Sequence, residues 1–104
     1  MDNDAIEKAA SYLLPIFKRR MHISHGSEDD NLKELLSSSF VNISGYGIFD
    51  VETNLKAQEL IIERTRYAYN DAVEYFDGNF ASQINVLSME LYTPTPEVIT
   101  NEEV

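Results

Sequence analysis

His22, His25 and Glu28 are the first side chains here that chemistry would draw on. Two imidazoles and a carboxylate so close together suggest a divalent-cation site. The spacing is loose, however, and Gly26 interrupts the segment, so the residues favour a pair of solvent-facing histidines. Glu59 and Glu63 stand one helical turn apart. A carboxylate-bridged di-iron site would need Glu-x-x-His pairs, and no histidine lies nearby in sequence. They read instead as a solvated face, with Glu63 pairing Arg66 or a neighbour's basic group. Tyr67, Tyr69 and Tyr75 beside Arg64 and Arg66 have the residue types of a base-stacking surface. The net charge of −10 argues for core packing and subunit contacts instead. There is no cysteine, hence no thiol nucleophile, disulfide scaffold or Cys-zinc site. Glycine-rich phosphate loops, GxSxG and HExxH are absent too. The expectation is a protein that is not an enzyme and takes no cofactor or metal.

The chain has 104 residues, 43% hydrophobic and 25% charged. That composition suits one soluble domain with a single core. No apolar run approaches the ~18–20 residues of a membrane span. The acidic start MDNDAIEK is unlike a secretory signal, so cytoplasmic synthesis is expected. Eight Lys and Arg face eighteen Asp and Glu. This makes autonomous binding to nucleic-acid phosphates unfavourable. The charge is segregated: residues 1–27 carry a net +1, residues 28–53 a net −5, and residues 54–92 and 93–104 a net −3 each.

Four segments show helical periodicity. In residues 2–21 the apolar stripe is Ile6, Ala9, Ala10, Leu13, Phe17 and Met21, with Asn3 or Asp4 as caps. Pro15 predicts a kink or a restart. Lys18, Arg19 and Arg20 fall in the last turn, where cations complement the helix dipole or serve a partner contact. Ser27 followed by Asp30 fits a capping box opening a second helix over 28–44, with Leu32, Leu36, Phe40 and Ile43 inward. Residues 40–48 carry a strand as the lesser alternative. The loop 45–53, GYGIFDVET, is greasy, so it is either packed down or an interface. The third helix, over 54–77 with Asn54 or Thr53 as cap, reads as longest and central. It has apolar residues on two faces, and Leu60, Ile61, Ala68, Ala72 and Phe76 are expected to be buried. Asp77-Gly78-Asn79 reads as a stop and a fresh cap before a fourth helix over 80–92, with Phe80, Ile84, Leu87 and Leu91 on one stripe and Val86 and Met89 beside it. The fold expected is all-α, a small bundle of three or four helices in residues 1–92.

Residues 93–104 form an acidic tail in which Pro94 and Pro96 favour an extended path. With Tyr92 leading in and Val98 and Ile99 as anchors, it reads as a partner-binding arm or as a solvated remainder. Charge segregation nominates Lys18, Arg19, Arg20, Arg64 and Arg66 for contacts with a partner or another subunit. Glu28, Asp29, Glu59 and Glu63 are the opposing acids.

The sequence resembles the head–tail connector proteins of tailed phages, the head-completion adaptors. The likeness lies in LLPIFKRRMHI at residues 13–23, followed by the acidic SEDD turn and an amphipathic helix. It continues in the greasy loop before NLKAQELIIERTRYAYNDAVEYF at 54–76, and in DGNFASQINVLSMEL at 77–91. The RxRYxYNDAxEYF pattern at 64–76 is the most specific part. The resemblance spans roughly residues 5–91. It implies a virion protein of the neck that assembles as a homo-oligomeric ring, twelvefold like the portal it binds. Such a ring extends the DNA channel without binding DNA specifically, and offers a platform for the stopper or tail-completion protein. No membrane is involved. A heterologous ring interface needs two different complementary faces on one chain. The alternative from another class is a small acidic helical inhibitor or DNA mimic binding a basic partner.

Overall fold

The computed structural model describes residues 2–92, and every regular element among them is helical. Helix α1 spans Asn3–Met21. Asp2, one residue before the expected caps, starts it: its carboxylate accepts from the Ala5 N–H at 2.8 Å. Pro15 lies inside α1 without ending it. Both Pro15 and Ser11, whose carbonyl the proline leaves without its helical donor, face solvent. Meanwhile Ala9, Ala10, Leu13 and Phe17 hold both halves to the core. The helix closes with His22 in the left-handed region at φ 60. Ile23 N–H bonds the Lys18 carbonyl at 2.9 Å and His22 N–H bonds that of Arg19 at 3.3 Å. These two bonds are a Schellman motif on a non-glycine residue.

Helix α2 spans Asp29–Ser44 and buries Leu32, Leu36, Ser39, Phe40 and Ile43. The expected capping box does not form, since no side chain caps α2. Ser27 Oγ lies 2.9 Å from His25 Nδ1 instead. Asp29 and Asp30 still complement the dipole in the first turn. Residues 40–44 are helical, which removes the strand alternative. The loop after α2 packs Tyr46, Phe49 and Val51 against the core. Phe49 meets Phe40 edge-on, ring centroids 6.0 Å apart. Gly47, at φ +150, lets the loop approach the end of the last helix: a Cβ there would stand 2.7 Å from Leu91 Cβ.

Helix α3 spans Leu55–Tyr69, capped by Asn54, whose side chain accepts from Ala57 N–H at 3.0 Å. It buries Ala57, Leu60, Ile61, Ile62 and Thr65 and touches every other helix, so it is central. It is not the longest, however: α1 has 19 residues and α3 has 15. The continuous helix expected over 54–77 breaks at Asn70–Asp71. Asp71 takes φ 58, its N–H bonds the Ala68 carbonyl at 3.1 Å, and Ala72 N–H bonds that of Tyr67 at 2.8 Å. A second Schellman motif therefore ends α3. A 3₁₀ turn Val73–Tyr75, a short α4 Phe76–Asn79 and helix α5 Ala81–Leu91 follow. The break leaves Ala68 and Ala72 only half-buried, while Leu60, Ile61 and Phe76 are buried as expected. Phe76 stacks on Phe80 at 4.9 Å and meets Tyr67 edge-on at 5.9 Å. That aromatic trio seats α4 and α5 on α3, and Ile84 and Leu87 complete the attachment.

Candidate functional site

The charged residues singled out by sequence are brought together largely within the chain. Arg20, at the end of α1, grips Glu59 on α3 with two bonds of 3.0 and 3.1 Å and reaches Glu63 at 3.1 Å. Glu63 in turn accepts from Arg66 at 2.6 Å. The Arg66 guanidinium lies over the Tyr67 ring, 5.2 Å from its centroid. The Glu59 hydrogen bond raises the Arg20 pKa, with the charges of Glu59 and Glu63 adding to it and desolvation opposing. The Glu63 hydrogen bond does the same for Arg66, again against desolvation. Lys18 bonds Asp29 at 2.7 Å, fastening the end of α1 to the start of α2. Tyr69 donates to Glu28 at 3.0 Å, fastening the end of α3 to the same place. That bond, then burial and the Glu28 charge, raises the Tyr69 pKa above the ordinary tyrosine range. Arg64 donates to buried Ser39 at 3.2 Å.

Of the Lys18-Arg19-Arg20 cluster, then, the outer two are tied into the fold and Arg19 points to solvent. His25 Nε2 stands 4.0 Å from Glu28, and His22 is the exposed left-handed cap of α1. Among the described residues no three His, Asp or Glu side chains are grouped to hold a metal ion. No described helix is long and apolar enough to cross a membrane.

The surface most unlike the rest is at one end of the bundle. Ile48 is 97% exposed, Met89 77%, Tyr92 70% and Leu55 69%. Gly47 against Leu91, and the Lys56–Glu90 ion pair, bring the loop, the start of α3 and the end of α5 to this end. Between α3 and α5 runs a groove of about 590 Å³, lined by Leu60, Phe80 and Val86 and by Glu59 and Glu63. Sequence reading noted Val86 and Met89 only as neighbours of the α5 stripe. Helical geometry turns them away from Ile84 and Leu87, which are the residues that pack. Ile48 was flagged through its greasy loop, whereas Leu55 passed unnoticed as a first-turn residue. Tyr92 is exposed here, and Pro94, Pro96, Val98 and Ile99 lie outside the described residues.

No family model, curated protein or solved structure matches this chain.

Proposed function

We propose that this chain is a structural virion protein, a head–tail connector. It assembles as a ring beneath the phage portal, extends the DNA channel and receives the stopper or tail. The resemblance over residues 5–91 supplies the class. The observation that carries the reading is the apolar end formed by Ile48, Leu55, Met89 and Tyr92 on a chain of net charge −10. A strongly acidic protein gains nothing in solution from such a patch, whereas a protein partner would bury it. Tyr92, the last described residue, belongs to this same end. The test is mass photometry of the protein alone and with purified portal protein. A portal-bound ring is expected, weakened by Leu55→Ser with Met89→Ser, two exposed changes that leave the core intact. A protein that stays off the portal at every concentration, or binds a basic enzyme one-to-one, would overturn the reading.

A further inference from the structure

The eight cations of this chain have unequal fates. Lys18, Arg20, Lys33, Lys56 and Arg66 are in ion pairs, and Arg64 is bonded to Ser39. Lys8 and Arg19 have no ion pair or hydrogen-bond partner among the described side chains, and both are exposed. At 100° per residue, Lys8, Tyr12, Pro15 and Arg19 fall within about 60° of one another. This face is opposite the buried Ala9, Ala10, Leu13 and Phe17. Tyr12, 36% exposed, sits between the two charges.

Helix α2 carries a face of the opposite kind. Asp30, Glu34, Ser38 and Val41 are exposed and share one side, away from Leu32, Leu36, Ser39 and Ile43. Neither Asp30 nor Glu34 is in an ion pair among the described residues. The two faces have the same length, about 16 Å from Lys8 to Arg19 and from Asp30 to Val41. Both point away from the core that α1 and α2 share, so within one chain they cannot meet.

We propose that the outer face of α1 docks, antiparallel, on the outer face of α2 of a second copy of this chain. In one register Arg19 lies opposite Glu34 with Asp30 a turn away, Pro15 opposite Ser38, and Tyr12 opposite Val41. Lys8 reaches the C-terminal end of α2, whose last turn holds no basic residue to complement its carbonyls. The two surfaces differ, so the contact is head-to-tail and propagates to a ring or a filament. This deepens the ring reading and names the faces that would build it.

The absence of cysteine allows a direct test. A chain carrying both Tyr12→Cys and Val41→Cys, oxidised at moderate ionic strength, should give a ladder of disulfide-linked oligomers. Each single variant should give at most dimers. Adding Arg19→Glu should cut the ladder about tenfold, the loss of about 1.4 kcal/mol of contact. Adding Asp30→Lys and Glu34→Lys to that same chain should restore it by swapping the charges at that end of the contact. Circular dichroism confirms the fold of each variant. A doubly substituted chain that gives no more than the single variants overturns the contact, as does a ladder indifferent to charge reversal. Portal binding is read separately on the same samples. Failure to bind portal with the ladder intact sinks the connector reading alone, while a missing ladder on a portal-bound ring sinks this contact alone.

Discussion

Replacing Asp71 separately by alanine and by glycine tests the break that ends α3. Asp71 sits at φ 58 in the Schellman motif. An alanine there pays the left-handed penalty of about 1–2 kcal/mol. Glycine is free of it, but gives up about 0.5–1 kcal/mol in the backbone entropy it loses on folding. Glycine should therefore be the more stable variant by about 0.5–1 kcal/mol. Both substitutions remove the same carboxylate from the negative end of α3, so that effect cancels between them. In an unbroken helix over 54–77 the order reverses, and alanine wins by about 1 kcal/mol. The sign of the difference thus decides between two backbone paths. Urea melts followed by circular dichroism read it, and heating should separate the midpoints by several degrees, since about 1 kcal/mol shifts a domain this small by about 4–8 °C. Alanine melting above glycine would refute the break.

Phe76→Ala should cost about 3–5 kcal/mol, because the fully buried ring stacks on Phe80 and abuts Tyr67. Against a typical total of about 5–15 kcal/mol, a urea midpoint unchanged from wild type would contradict that packing. The raised Tyr69 pKa fixes a sign as well: stability from its bond to Glu28 is whole below the free-tyrosine pKa and is lost as pH rises through the folded value. Ultraviolet phenolate titration should lose a late-titrating component in Tyr69→Phe, which keeps the ring contact to Phe17. A titration curve that loses no late component in that variant would remove the bond.

The apolar stripes of α1, α2 and α5 were legible because each helix is one-sided: Leu13 and Phe17, Leu32 and Leu36, Ile84 and Leu87 are all buried where their spacing puts them. Two apolar faces over 54–77 had a different cause from the one inferred. They were read as a helix packed on several sides, but Ile62 belongs to α3 while Val73 and Phe76 belong to elements beyond the turn at Asp71. Asn70-Asp71 was a readable stop only in hindsight, because glycine is the usual left-handed residue and aspartate the less common one. The charges were harder still. Segregation along the chain says which signs are near in sequence, but not which helix faces meet. The α1–α2 turn brings Lys18 to Asp29, and packing of α1 on α3 brings Arg20 to Glu59.

Those internal pairs also limit how copies of this chain can meet. Five cations are paired with acids of the same chain and Arg64 with Ser39, so the charge left unpaired on the described residues is mostly acidic. Two such bodies repel at long range, and a Debye length of about 10 Å at 0.1 M salt removes most of that repulsion beyond the contact zone. Contacts at hydrogen-bond distance are screened far less. Self-association of this protein therefore cannot come from overall charge balance. It needs a place where uncommitted cations face uncommitted acids at close range, with apolar surface between them to exclude water. Lys8, Tyr12 and Arg19 have that composition on α1, and Asp30, Glu34 and Val41 have its complement on α2.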